Sequence, residues 1–184
     1  MDDICLRYYG DPILRTRCRE VEEITDEIRD FVEQMKKVMI ESNGQGLAAP
    51  QLGQDIRIFT TTMWEESADG KWGPGPIKVF INPVLSAPSD EVEIEQEGCL
   101  SFPGFRVDVD RPIQITVEWM DLEGKYHKET FEDNEARCCM HENDHLNGVL
   151  HIDRTSKRER QRVDVYLRDL KKRYKKEQKK RLKK

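Results

Sequence analysis

The pentapeptide His141-Glu142-Asn143-Asp144-His145 constrains this 184-residue chain more than any other feature. Residues four apart lie on one face of a helix, so two imidazoles can meet at a divalent metal. Glu142 would stand beside the first ligand as a base for a water molecule there. The preceding run, residues 136–140, favours a helix, and Gly148 marks its end. The alternative is two surface histidines on an ordinary helix.

A metal site of this kind needs a third protein ligand. His127 lies in a polar run where a solvent-facing strand residue is expected, and His151 follows the helix too closely to fold back easily. Cys99 is the better candidate, because Gly98 beside it permits unusual backbone angles and a close approach. A lone cysteine is more often a small buried apolar residue, so the spacing alone leaves this choice open.

Three separated motifs give the chain a resemblance to a known family. They are Gly44-Gln45-Gly46-Leu47-Ala48-Ala49-Pro50-Gln51, Glu97-Gly98-Cys99-Leu100-Ser101 and His141-Glu142-Asn143-Asp144-His145-Leu146. In this order and at these separations they resemble the motifs of bacterial peptide deformylases. The likeness extends from about Tyr8 to Arg154, which is most of the chain.

The resemblance implies a metallo-hydrolase that removes the formyl group from the N-terminal formyl-methionine of nascent polypeptides and releases formate. It implies one divalent metal per chain, held by Cys99, His141 and His145. In the family this metal is usually Fe(II), with Zn or Ni also found in isolated enzymes. The ligand set alone does not choose among these metals, since thiolate and imidazole suit all three. The implied partners are formylated nascent peptides.

Catalytic roles follow for three further groups. Glu142 would carry a proton from the attacking water to the leaving amine. The family match implies that Gln51 and the backbone N–H of Leu100 contact the formyl oxygen. Donors aimed at a developing oxyanion contribute about 2.7–4 kcal/mol each. The alternative for Gln51 is a loop residue that hydrogen-bonds backbone.

The residues around the metal ligands would hold them in place. His141 and His145 need hydrogen-bond acceptors for their other ring nitrogens. Asp144 is one candidate, and its alternative is a solvated helix carboxylate. Glu97 and Arg111 match family positions that pair and brace the cysteine segment.

The segment Gly44-Gln45-Gly46 is expected to bind substrate. It is not a phosphate loop, because no Lys or Ser follows where a phosphate cradle would need one. Its glycines instead allow a peptide to lie against it as an added strand. The resemblance places Gln45 in the substrate side-chain pocket, where the family usually has an aliphatic residue, and Arg106 near the pocket mouth. Met140 replaces a residue that is often Gln in the family, with a small expected effect.

Strands in runs followed by helices predict an α+β fold with antiparallel sheet. The resemblance implies small antiparallel β-sheets around a central metal-binding helix, with an N-terminal helix and a long basic C-terminal helix. The pattern predicts a helix over 25–41, strands at 56–59 and 79–81, a surface loop over 63–77, and a hairpin from Ile113 to Phe131.

The charge is unevenly distributed along the chain. Residues 154–184 hold 16 Lys and Arg against 4 Asp and Glu, a net charge of +12. Residues 1–153 hold 15 Lys and Arg against 32 Asp and Glu, a net charge of −17. We therefore expect a deformylase-like catalytic domain over 1–153 and a basic C-terminal helix or tail of the same domain over 154–184.

The basic tail suggests a polyanionic partner. Some bacterial deformylases bind the ribosome through their C-terminal helix, so the resemblance favours ribosomal RNA; no DNA partner is expected. Five residues recur at helical spacing and can dock the first half of this helix on the body: Val163, Tyr166, Leu167, Leu170 and Tyr174. A solvated, frayed end is the alternative. Two other function classes stay open on the residues alone, a zinc endopeptidase and a nucleic-acid-binding protein with an idle metal site.

The composition also bears on location. No apolar run approaches the ~20 residues of a membrane span, so no membrane partner is expected. The acidic N-terminus lacks the basic start and apolar stretch of a signal peptide. Five irregularly spaced cysteines argue against a disulfide framework and fit a reducing cytoplasm.

Overall fold

The computed structural model describes residues 4–181 of the chain. These residues form four α-helices, two short 3₁₀ turns and nine strands, and eight of the strands follow one another before α2. The helices are α1 (Asp26–Glu41), α2 (Asp133–Leu146), α3 (His151–Arg154) and α4 (Lys157–Arg181), and the 3₁₀ turns span Pro12–Arg15 and Ala49–Leu52. The strands are β1 (Gly46–Ala48), β2 (Ile58–Thr61), β3 (Trp64–Glu66), β4 (Trp72–Pro74), β5 (Lys78–Ser86), β6 (Val92–Glu97), β7 (Val107–Pro112), β8 (Gln114–Met120) and β9 (Tyr126–Glu132).

The strands form three antiparallel sheets. The largest has five strands in the order β1-β2-β5-β8-β9, and two smaller sheets pair β3 with β4 and β6 with β7. The register of β5 against β8 shifts between Ile81 and Val84. Antiparallel sheets with several helices confirm the predicted mixed α+β class. Strand β1 stands at the edge of the large sheet.

The hairpin of β8 and β9 forms as its sequence predicts. Ile115, Val117 and Trp119 alternate into the core, and Ile115 faces Phe131 across the pair. The Asp121 carboxylate closes the turn by accepting backbone N–H groups of residues 123 and 125, at 3.0 and 2.9 Å. The same carboxylate hydrogen-bonds His127, which lies on β9.

The prediction of a surface loop over residues 63–77 is wrong in part. The segment forms the hairpin of β3 and β4, in which Trp64 pairs with Pro74. The N–H of Ser67 donates to the carbonyl of Lys71 at 2.9 Å, and Gly70 adopts a φ of +77° in the turn. Its glycine therefore serves a tight turn between two short strands.

Helix α1 delivers the chain to the first motif. The Thr25 side chain accepts the Ile28 N–H and so caps its start. The helix ends at Glu41, Asn43 just beyond it takes a φ of +53°, and the Gly44 N–H donates to the Met39 carbonyl at 2.9 Å. One apolar face, Phe31, Val32, Met35 and Met39, packs against Leu47, Leu52 and Ile58. This packing fixes residues 44–46 beside the sheet.

Helix α2 packs on the five-stranded sheet and carries the His-Glu-x-x-His motif in its C-terminal half. Its buried face, Ala136, Cys139, Met140 and Leu146, joins Phe59, Phe80 and Phe131 in one cluster. The helix ends before Gly148, where φ is +69°. A Cβ on Gly148 would lie 2.6 Å from the Arg15 carbonyl oxygen, so glycine permits a close backbone approach there.

Helix α4 docks on the body through its first half. Val163, Leu167 and Leu170 are buried against a cluster made of Leu14, Phe102, Val107, Val109, Leu150 and Ile152. The side chains of residues 171–173, 175 and 176 are exposed. Among the helices of residues 4–181, none has the length and apolar character that a membrane crossing requires.

Candidate metal centre

The three candidate ligands converge from two elements. Cys99 follows β6, and His141 and His145 lie one turn apart on α2. One ligand atom of each lies within 4.8 Å of the others, and Cys99 Sγ is 3.3 Å from His145 Nε2. The thiol is half-buried and both imidazoles are buried. One thiolate and two imidazoles are a donor set that fits a divalent transition metal.

A buried carboxylate orients the first histidine. Glu97 Oε2 accepts the Nδ1–H of His141 at 2.9 Å, which leaves Nε2 of that ring for the candidate metal. Arg111 donates two hydrogen bonds to the same carboxylate, at 2.8 and 3.0 Å. Burial would raise the pKa of Glu97, but the hydrogen bonds from His141 and Arg111 outweigh it and hold that pKa well below its usual range. Glu97 therefore stays an ionised acceptor.

A second guanidinium, which the sequence reasoning missed, supports the same carboxylate. Arg137 Nη1 donates to Glu97 Oε1 at 3.0 Å and to the Val109 carbonyl at 2.9 Å. Its position four residues before His141 puts both on one helix face, and that spacing is the signal that could have identified it.

The carboxylate of Asp144 is buried within the same charge network. Only 5% of this residue is exposed, so the alternative of a solvated helix carboxylate is wrong. Its oxygens accept Arg111 Nη1 and Arg154 Nη2, each at 2.7 Å. Asp144 thus links the bracing guanidinium of Arg111 to α3.

Glu142 lies buried against the first motif. It is 4% exposed, and its Oε2 has no hydrogen-bond partner among the described residues. Burial raises the pKa of Glu142 to about 7. A Cβ on Gly46 would lie 2.8 Å from Glu142 Cγ and Cδ, so the glycine leaves the space that this side chain uses. A carboxyl group that titrates near neutrality suits proton transfer.

Gln51 and Leu100 flank the cysteine. Gln51 is buried, and its Oε1 accepts the Ala48 N–H at 2.8 Å, as the backbone-bonding alternative expected. Its Nε2 faces the cysteine segment, 3.2 Å from Ser101 Oγ and 3.5 Å from Cys99 Sγ. The amide is therefore fixed with its donor toward the candidate metal. Leu100 follows Cys99 in a turn, which is closed by a hydrogen bond from the N–H of Phe102 to the carbonyl of Cys99 at 2.9 Å.

The N-terminal segment connects the first two motifs. The Arg7 N–H donates to the Gln51 carbonyl at 2.7 Å, and the Tyr9 N–H donates to the Ser101 carbonyl at 3.0 Å. A Cβ on Gly53 would lie 2.8 Å from the Arg7 side chain, so the N-terminal segment passes close to the backbone at Gly53. Backbone hydrogen bonds thus tie two sequence-distant parts of the site together.

One cleft opens over these groups. Its lining includes all four residues predicted to bind substrate, Gly44, Gln45, Gly46 and Arg106, together with Cys99, Leu100, His141 and Glu142. The Gln45 side chain is exposed to the cleft, and Arg106 lies over Gly98. Gln51 and His145 are each 1% exposed and lie beneath this surface. The structure therefore brings every predicted site residue to one place.

The expectation that His151 would not easily fold back toward the motif helix is wrong. Its ring centroid lies 5.7 Å from that of His141, and it packs against Phe102 at 4.7 Å. The positive φ of Gly148 reverses the chain after α2 and makes this return possible. Burial lowers the pKa of His151 to about 3, so the ring is neutral. It stands outside the three-residue ligand cluster.

Comparison with known proteins places these observations in a family. A family model described as polypeptide deformylase matches residues 5–161. A peptide deformylase of Bradyrhizobium diazoefficiens is 42% identical over 153 residues, which cover 83% of this chain and 87% of that protein.

Solved structures agree with this match. A peptide deformylase of Plasmodium falciparum superposes with a TM-score of 0.84 at 34% identity, covering 93% of this chain and 97% of that one. A plant peptide deformylase, PDF1B, gives a TM-score of 0.88 at 30% identity, covering 96% and 94%. The match spans all three motifs and confirms the resemblance seen in the sequence. The chain belongs to the peptide deformylase family.

Proposed function

We propose that the three motifs carry out the family reaction, metal-dependent hydrolysis of the N-formyl group of nascent polypeptides, with Cys99, His141 and His145 as metal ligands. The observation that carries this assignment is the convergence of their ligand atoms within 4.8 Å beside a buried Glu142. The family match supports a metal-dependent hydrolase. The roles of individual residues rest on the geometry described above.

One divalent metal per chain fits this donor set, and we propose Fe(II) as the native ion, with Zn or Ni possible in isolated protein. A bound metal would act as a Lewis acid on the formyl carbonyl and would make a nearby water more acidic. Glu97 supports His141 for this task, because it fixes the Nδ1 proton and leaves Nε2 free to bind.

Glu142 would perform both proton transfers. Its carboxylate takes a proton from the attacking water and passes it to the departing amine nitrogen as the C–N bond breaks. A pKa raised to about 7 by burial lets the group serve as base and then as acid near neutral pH. The space left by Gly46 accommodates this side chain, which is among the residues that line the cleft.

Gln51 Nε2 and the Leu100 N–H would bind the formyl oxygen as negative charge develops on it. The amide of Gln51 is held in advance by its bond to Ala48, so little reorganisation is needed. The peptide itself would lie along residues 44–46, because β1 is the edge strand of the five-stranded sheet. Arg106 would stand at the rim of this cleft.

The deciding test is formate release from formyl-Met-Ala-Ser by anaerobically purified protein, with metal analysis alongside. We expect formate release, no cleavage of casein, and one divalent metal per chain. Glu142→Ala should keep the metal and lose about 10²–10⁴-fold in turnover. Casein cleavage without formate release would favour the endopeptidase alternative, and near-normal turnover of Glu142→Ala would exclude it as the base.

We also propose that residues 1–153 form the catalytic domain and that the basic segment 154–184 anchors it to ribosomal RNA in the cytoplasm. The net charge of +12 on the segment and the exposed side chains of residues 171–173, 175 and 176 support a polyanionic partner. The five free cysteines fit a reducing compartment. Docking by Val163 and Leu167 would keep the helix on the body while its end reaches outward.

Cosedimentation with ribosomes tests the anchor. The full chain should bind more strongly than a chain that ends at Tyr174, and binding should weaken steeply between low and moderate salt because phosphate contacts release counterions. Both proteins should deformylate short peptides. Equal ribosome binding by the two chains would refute an anchoring role.

A further inference from the structure

The first turns of the C-terminal helix form part of the cleft wall. Glu159 and Arg162, in the first turns of α4, line the same cleft as Cys99 and Glu142. Arg162 Nη2 lies 2.7 Å from Glu159 Oε2, and the Arg162 side chain remains 52% exposed. A helix that the sequence assigns to the tail therefore presents a donor and an acceptor to the substrate side of the molecule.

The same helix fastens the neighbouring wall of the cleft, residues 103–106. Arg162 Nη2 donates to the Arg106 carbonyl at 2.9 Å, and Tyr166 Oη donates to the Pro103 carbonyl. The rings of Phe105 and Tyr166 lie 5.0 Å apart. Two hydrogen bonds and one aromatic contact thus hold a four-residue stretch that begins shortly after Cys99.

Gly104 makes this attachment possible. Its φ is +92°, a conformation that side-chain-bearing residues rarely adopt. A Cβ there would lie 2.5 Å from Tyr166 Oη, too close for any real contact. The path of residues 103–106 is therefore matched to α4.

We propose that Glu159 and Arg162 bind the peptide chain beyond its formylated residue, and that Tyr166 is a positioning residue that holds 103–106 as the adjoining wall. The inference rests on the proposed function, which puts the formyl end of the peptide at the three metal ligands. Each further extended residue adds about 3.3–3.6 Å of reach, so contact between the peptide and α4 should increase with peptide length. Guanidinium and carboxylate groups together match the C=O and N–H groups of an extended backbone.

A length series of substrates tests this proposal. Formate release is measured for formyl-Met-Ala, formyl-Met-Ala-Ser and formyl-Met-Ala-Ser-Ala-Ala, with KM and kcat determined separately. Arg162→Met and Tyr166→Phe should raise KM about three- to tenfold for the longest peptide, the worth of one hydrogen bond, and progressively less for shorter ones. Arg168→Met is the matched control, since Arg168 lies on the same helix, pairs with Asp164 and is outside the cleft lining; it should match the wild type at every length.

Several outcomes would overturn the proposal. They are an unchanged KM at all lengths, a change independent of length, or an equal fall in kcat for every peptide, which would indicate a merely structural role. Arg162→Lys keeps the positive charge but lacks the planar guanidinium, so it should restore part of the affinity. The same variant replaces Arg162→Met in the comparison if Arg162→Met fails to fold. Absence of formate release by the wild type would instead refute the proposed function.

Discussion

Gly46→Ala should disable the proposed base without touching a metal ligand. The added methyl would stand 2.8 Å from Glu142 Cγ and Cδ, whereas carbon atoms rest at about 3.5–4.0 Å. The Glu142 side chain must therefore retreat by roughly 1 Å. The backbone itself tolerates alanine, because Gly46 lies outside the left-handed region.

The cost can be bounded from this displacement. A misplacement of about 1 Å at a reacting group can cost ~10²-fold in rate, or about 2.7 kcal/mol in the barrier. Complete loss of a general base would cost up to ~10⁴-fold. We therefore expect kcat/KM for formyl-Met-Ala-Ser to fall about 100-fold in Gly46→Ala, with one metal per chain retained.

Continuous detection of formate, together with elemental analysis, checks this expectation. Gly73→Ala is the matched control, because a Cβ at Gly73 meets nothing within 4 Å. The reasoning would be refuted if kcat/KM of Gly46→Ala lay within about threefold of that of Gly73→Ala, because the expected loss is ~10²-fold. Loss of metal would refute it too, since the methyl would then act on the ligands.

Three further expectations concern separate parts of the molecule. Cys99→Ala should lose tight metal binding by elemental analysis while Cys138→Ala keeps it; full metal in the first variant would exclude Cys99 as a ligand. Gln45→Ile should shift preference from formyl-Met toward formyl-norleucine peptides by about fivefold, or ~1 kcal/mol, and an identical preference would show that Gln45 does not line the pocket. For Asp153, burial would raise the pKa, but the hydrogen bonds from Arg15 and the Leu150 N–H outweigh it and lower the pKa. The ionised carboxylate therefore stabilises the folded state at pH 7, and this contribution is lost as the pH falls below about 4. Asp153→Asn should therefore cost about 0.2–1 kcal/mol in urea unfolding at pH 7 and less at pH 3; an equal cost at both would contradict the linkage.

Local patterns predicted those elements whose signals are local. The cap at Thr25 and the apolar face of α1 lie within one helix, and the turn at Asp121 closes one hairpin. The bounds of β2 were less accessible. The pattern ended its strand at Phe59, yet the strand continues through buried Thr60 and Thr61, because β1 and β5 pair with it on both sides.

The candidate metal ligands could be selected from the sequence, and the residues that support them were harder to predict. The spacing of His141 and His145 indicated a shared face, but only the family resemblance selected Cys99. Arg137 and His151 were missed because their positions depend on how β6 and α3 pack around α2, which no nearby residue reveals. Long-range packing thus decides what surrounds the ligands.

The backbone bonds of Arg7 and Tyr9 to the two motif segments have a consequence for native-state fluctuations. Amide hydrogens exchange with solvent only when their hydrogen bonds open. The Arg7 amide is bonded to Gln51 and the Tyr9 amide to Ser101, so each reports on a different strip of the site. A comparison of the two exchange rates would reveal whether the N-terminal segment separates from Gln51 and from Ser101 independently or in one cooperative opening. The measurement needs no substitution of a proposed catalytic side chain.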